Sequence, residues 1–153
     1  MRRKVTALTL VCLFAFAGTS YAAGHIALRS PAFANGQPIP AAYTCTGKDI
    51  SPPLSWSGVP RGSRSLRLAM IDRTANFTHW KVSGIDPGDG DVAAGAVPQG
   101  GRQRKNSFGK VSYGGPCPPK GDSPHRYAFT ITALDKGGKV LDRGSLTGTF
   151  ARR

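Results

Sequence analysis

Hydrophobic positions recur at every second residue in three short runs, and these runs predict the strands of the molecule. Leu66, Leu68 and Met70 share one face of a strand whose other face carries Ala69 and Ile71, which predicts burial on both sides. After a brief break, Phe77 to Ile85 forms a second run. Tyr127, Phe129, Ile131 and Ala133 alternate with Ala128, Thr130, Thr132 and Leu134 in a third. Between them lie Gly- and Pro-rich connections: Ser51-Pro52-Pro53, Asp86 to Gly101, and Gly114 to Pro124, with neither a repeat nor a domain linker. Lys139 to Phe150 is the one stretch with room for a helical turn, and Gly144 and Gly148 weaken it. The pattern predicts a single antiparallel, sandwich-like β domain, all-β with little helix.

Composition agrees. Gly (20) and Pro (12) fill about a fifth of the 153 residues, glutamate is absent and all eight acids are aspartate, so helix-rich folds are excluded. The first residues are set apart from the domain. Met1-Arg2-Arg3-Lys4 is a basic start, Val5 to Gly18 is uncharged, and Ser20-Tyr21-Ala22 has small residues where a signal peptidase reads. A signal peptide over residues 1–22 and a domain over 23–153 are expected, because the apolar run is shorter than the roughly 20 residues of a membrane span. Cys12 lies within that run without the small residue before it that a lipoprotein signal needs. Export places the protein in the periplasm or outside the cell.

Without the leader's three cations, 18 Lys/Arg face 8 Asp, a balance of +10. The cations are scattered: Arg61, Arg64 and Arg67 flank one run, Arg102, Arg104 and Lys105 sit in a Gly-rich loop, and Arg152 and Arg153 end the chain. No run of charge interleaved with aromatics marks a specific nucleic-acid site; general attraction to anionic lipid or polyanions fits better. Two cysteines remain, Cys45 and Cys117. In an exported protein such a pair reads as a disulfide; in the cytosol it would be two unrelated thiols.

Few residues can carry chemistry. Of His25, His79 and His125, the second follows Asp72 by one short turn, and the third lies two residues before Tyr127, so His125 and Tyr127 share a strand face. A carboxylate, two imidazoles and a phenol could meet at the strand ends. Three uses are open: a two-His, one-Asp metal site, unsupported by any short His spacing; a hydrolase, without a Gly-x-Ser-x-Gly elbow; and an anion pocket, which needs only imidazole, hydroxyl and backbone donors. The plain alternative is that each histidine is structural.

A resemblance narrows the choice. The segments Tyr43-Thr44-Cys45-Thr46-Gly47-Lys48-Asp49-Ile50-Ser51-Pro52-Pro53-Leu54-Ser55-Trp56, His79-Trp80, Asn106-Ser107-Phe108-Gly109, Tyr113 to Gly121 and His125-Arg126-Tyr127 resemble the phosphatidylethanolamine-binding protein (PEBP) family, and within it the bacterial Raf kinase inhibitor-like branch of the YbhB/YbcL type. The likeness runs from about Ile26 to Arg152. It implies a Greek-key β-sandwich whose small pocket holds phosphate or a phosphorylated head group. By motif, Asp72, His79, His125 and Tyr127 would form the pocket, Gly115 and Pro118 its rim and Trp56 a wall. Neither cofactor nor metal is implied. The likeness also puts the segments bearing Cys45 and Cys117 around one end of the sandwich.

Two departures from the family pattern stand out. Where it reads D-P-D-A-P, this chain has Asp72-Arg73-Thr74-Ala75-Asn76. If Thr74 replaces an acid at the pocket mouth, simple phosphate should bind at least as well as phosphoethanolamine; alternatively, Arg73 and Thr74 face solvent and do not reach the ligand. The tail is also short, so the family's C-terminal helical region is expected to be reduced or missing. The reading is a non-catalytic exported binder of small phosphorylated anions or phospholipid head groups. Its alternatives are a protein-interaction inhibitor of kinase- or protease-inhibitor kind docking through the pocket rim, and a weak hydrolase or metal protein.

Overall fold

The computed structural model describes residues 25–153. The leader expected over residues 1–22, with Cys12, lies outside them. Eight strands follow in order: β1 (Ala27–Arg29), β2 (Leu54–Ser57), β3 (Ser65–Asp72), β4 (Phe77–Ile85), β5 (Gly90–Val92), β6 (Arg102–Gln103), β7 (His125–Leu134) and β8 (Val140–Phe150). One 3-10 turn, Ala41–Tyr43, is the sole helical element among the described residues.

The strands form two antiparallel sheets, a three-stranded one in the order β1-β2-β5 and a five-stranded one in the order β6-β4-β3-β7-β8. The core lies between them. Leu28, Leu54, Trp56 and Val92 from the small sheet meet Leu66, Leu68, Met70, Val82, Phe129, Ile131 and Leu146 from the large one. β3 and β7 are neighbours although 52 residues of chain (73–124), carrying most of the Gly/Pro connections, separate them. Within it β4 and β6 belong to the large sheet and β5 to the small one, and residues 104–124 lie as loops over the end of the large sheet where the candidate site is found.

Two expectations are corrected. Residues 140–150 are not helical; they form β8, paired along its length with β7. Gly144 and Gly148, which argued against a helix, are required in this strand by close approach. A Cβ at Gly144 would overlap the Ile26 carbonyl, and one at Gly148 would press into Ile39 and Phe33. Burial of β3 is also one-sided: Leu66, Leu68 and Met70 are fully covered, while Ala69 and Ile71 on the opposite face are only half-buried.

Candidate functional site

The site is built at one end of the large sheet, from the last residue of β3 and the first of β4 and β7. Register places Asp72 between Phe77 on one side and Tyr127 on the other. His79 arrives by a local irregularity. Met70 pairs with Trp80 and Ile71 with Thr78, so the ladder passes over His79, and this bulge lets His79 and Trp80, adjacent in sequence, both be buried. Between β3 and β4, Asp72 Oδ1 accepts the N–H groups of Thr74 (2.8 Å) and Ala75 (3.1 Å), and Asn76 takes a positive φ of 50° that Asn tolerates better than most residues.

Asp72 Oδ2 accepts a 2.7 Å hydrogen bond from His125 Nδ1, and both side chains are buried. Burial works to raise the Asp72 pKa, but the bond from His125 and the two backbone N–H groups outweigh it, and the carboxyl ends below its ordinary 3.8. The same bond is the chief reason that the His125 pKa is raised above 6.5, with Asp122 Oδ2 lying 3.5 Å from its other nitrogen. His79 behaves oppositely. Its Nδ1–H donates to the carbonyls of Gly114 (2.8 Å) and Gly115 (3.1 Å), while burial pushes its pKa below 6.5, so the ring is neutral and Nε2 carries a lone pair.

Tyr127 is fully buried, packed edge-on against His79 with ring centroids 5.2 Å apart, and its hydroxyl, near the Asp72 carboxylate and the Cys117 backbone, makes no hydrogen bond of good geometry. Burial is the main cause that raises its pKa, followed by the nearby Asp72 charge, so the phenol keeps its proton. A cavity of about 250 Å³ opens here, lined by Asp72, His79, His125 and Pro118 with Phe77 and Phe108. Cys117 joins the wall through its disulfide to Cys45, which ties the Gly115–Pro119 segment to the 43–49 loop. Larger hollows of about 390 and 450 Å³ lie along β1 and beside β2 and β5, and neither contains a histidine.

The structure therefore brings Asp72, His79, His125 and Pro118 together in the cavity wall, with Tyr127 fully buried behind His79 rather than in the lining. Gly115 does not line the cavity: its carbonyl holds His79, and its N–H donates to Asp49 Oδ1 at 2.7 Å. Trp56 does not reach it either; it lies on β2 in the other sheet, its indole N–H bound to the Gly88 carbonyl, where it packs in the core. Thr74 and Arg73 are exposed and absent from the cavity wall, and Thr74 Oγ1 accepts the Arg126 N–H instead. Ala75 lines the cavity in their place.

Sequence reasoning missed Phe77, Phe108, Ala75 and Pro119 in the wall, and Asn106 behind it. Phe77 was within reach of the period-two rule, being two residues before His79. Buried Asn106 donates to the carbonyls of His79 and Ser112 and accepts the Lys110 N–H, fastening the 106–115 loop to β4; no spacing rule points to it.

The family model described as phosphatidylethanolamine-binding protein matches residues 29–151. The chain belongs to this family. A UPF0098 protein of Aquifex aeolicus is 46% identical over 148 residues, covering 80% of this chain and 86% of the relative. LppC of Mycobacterium tuberculosis, named as a candidate lipoprotein, is 44% identical over 116 residues; the match covers 74% of this chain but only 57% of LppC, so the chain spans little more than half of that relative. Among solved structures, a PEBP homolog from Chlamydia trachomatis superposes with a TM-score of 0.75 at 35% identity, covering 84% of this chain and 99% of the other. Escherichia coli YbcL, described as a member of the mammalian PEBP family, gives 0.77 at 26% identity, covering 85% and 100%. Both likenesses extend over the two-sheet fold that frames the cavity.

Proposed function

We propose that this PEBP-family protein is a non-catalytic binder of small phosphorylated anions or phospholipid head groups, exported to the periplasm or the cell exterior. The observation that carries the reading is the cavity of about 250 Å³ walled by His79 and the His125–Asp72 pair, with the Tyr127 hydroxyl buried directly behind it and making no hydrogen bond of good geometry. A buried polar group left unpaired costs about 1–3 kcal/mol, and a ligand oxygen would relieve that cost. The chemistry suits a phosphate. Tyr127 O–H and cationic His125 are donors, the lone pair on His79 Nε2 accepts from a protonated phosphate oxygen or an ammonium, and Asp72, engaged by His125 and two backbone N–H groups, positions His125. Three further observations support export: the disulfide, the leader-like residues 1–22 and the lipoprotein-named relative. Among the described residues no three His, Cys, Asp or Glu side chains are grouped to hold a metal, and no helix is long and apolar enough to cross a membrane.

Calorimetric titration of phosphoethanolamine and inorganic phosphate into wild type, Tyr127→Phe and His125→Asn tests the reading. Binding to wild type that falls at least tenfold in both variants supports it; no binding to wild type, or equal affinity in all three, overturns it. The second reading, a protein-interaction inhibitor, is favoured by one feature of the rim: Phe108 is 45% exposed and Val111 62% exposed in the loop beside the cavity. Val111→Ser, outside the cavity wall, would weaken capture of a protein target without lowering affinity for a free anion.

A further inference from the structure

The face of the large sheet turned away from the core is ordered and basic. Register sets Arg102, Ser83, Arg67, Thr132 and Arg143 side by side across the five strands, so the three guanidinium groups alternate with hydroxyls. Adjacent strands lie about 4.8 Å apart, which spaces successive arginines of this row about 10 Å apart. Lys81 stands in the next row with Ala69, Thr130 and Ser145, and Arg126 lies nearer the cavity end, paired with Thr149. All of these cations are exposed.

No carboxylate shares the face. Asp72 is turned inward to His125, Asp142 is engaged by His25 and the Ile26 N–H, and the other six aspartates lie in loops or on β5. Among the described residues every ion pair involves a histidine, so no Lys or Arg is paired with a carboxylate. A recess of about 500 Å³ opens over Ala128 between Arg73 and Arg126, with the hydroxyls of Thr74, Ser145 and Thr147 around it.

We propose that this face is a docking surface for an anionic lipid bilayer, on which Arg67, Arg126 and Arg143 meet head-group phosphates and the Arg73–Arg126 recess seats one of them. Charge complementarity selects an anionic partner. Shape selects a planar one: the cations are spread in two dimensions over a strand-built surface rather than along one groove, the described residues hold no α-helix to enter a nucleic-acid groove, and no aromatic side chain stands among these cations for base stacking. This inference does not depend on what the cavity binds.

Co-sedimentation of the purified protein with vesicles of phosphatidylglycerol and phosphatidylcholine, against vesicles of phosphatidylcholine alone, measures the docking. Taking the difference between the two removes any contribution from the apolar residues 5–18. Partition to the anionic vesicles should fall steeply with salt and drop roughly tenfold or more in Arg67→Ser/Arg126→Ser/Arg143→Ser. The matched triple Arg61→Ser/Lys136→Ser/Arg153→Ser, off the face, should retain most of it, as should Arg→Lys at the three face positions. Circular dichroism confirms that each variant is folded. Equal losses in the two Ser triples would show that net charge alone acts and would overturn the proposal. So would tighter binding to duplex or single-stranded DNA, or to an acidic polypeptide, than to the anionic vesicles.

Discussion

Tyr127 sets stability against binding. Its hydroxyl is buried without a hydrogen bond of good geometry, the nearby Asp72 carboxylate and Cys117 backbone notwithstanding, so removing it relieves a desolvation cost and breaks at most a weak bond. Tyr127→Phe should therefore raise the melting temperature, by an amount matching about 1 kcal/mol or more, while phosphoethanolamine affinity falls; thermal unfolding and calorimetry on the same samples check both signs. The two histidines predict a pH profile. His125 has a raised folded pKa, so its contribution is complete below 6.5 and is lost as pH rises through the raised value. His79 has a lowered one, so the fold loses stability as pH falls from 6.5 through the lowered value. Asp72, also lowered, contributes above 3.8 and loses that contribution as pH falls through its own folded value. Stability should then peak near pH 6.5, with the alkaline limb flattened in His125→Asn and the limb just below the peak flattened in His79→Asn, as denaturant midpoints across pH will show. Ligand binding should weaken over the same alkaline limb. Sulfate is the cleaner probe, since its charge is constant there, and constant sulfate affinity would show that His125 is not the cation at the anion.

At the scale of elements, the site depends on a bulge and a loop. Passing over His79 in the β3–β4 ladder turns its ring into the cavity, and the 106–119 segment then holds that ring by two carbonyls. Gly115 allows the segment to lie this close: a Cβ there would overlap Asp49 Oδ1 and sit 2.8 Å from Thr44 Cα and the Tyr43 oxygen. Gly115→Ala should cost about 1–3 kcal/mol of stability by overpacking and weaken binding by releasing His79, even though residue 115 does not line the cavity. Urea unfolding and ligand titration of the variant measure the two effects. The turn after β3 predicts the opposite outcome for its neighbour. Because Thr74 bonds the Arg126 N–H and faces solvent, Thr74→Asp should leave the ratio of phosphate to phosphoethanolamine affinity unchanged, which competition binding would read directly.

For the whole molecule, the Cys45–Cys117 disulfide closes a separation of 72 residues that contains β2 to β6. In the chain-entropy account such a loop is worth about 4 kcal/mol. Cys45→Ser/Cys117→Ser should lose about that much in equilibrium unfolding and also loosen the cavity wall, so affinity and stability fall together. A reductant should reproduce the loss in wild type and leave the variant unchanged.

Period-two patterning was sufficient for β3 and β7, because each turns alternate residues to the core, and the apolar run located β4 although its bulge at His79–Trp80 breaks the alternation. It also placed His125 and Tyr127 on a common face and Asp72 at a strand end, and the cysteine pair together with the leader-like start pointed to the disulfide. The short strands β1, β2, β5 and β6 carry two to four residues each, too few for a period to be visible. β8 was obscured by the two glycines that its close packing requires. Residues local to one strand could thus be assigned from sequence, but the relation between strands could not. That His79 and Trp80 are both buried depends on the register of β4 against β3. That Trp56 belongs to the core and Phe108 to the cavity depends on which loop folds over which sheet end. The arginine rows are equally a product of pairing: Arg67, Arg102 and Arg143 are scattered along the chain, and cross-strand hydrogen bonding alone makes them neighbours on one acid-free face.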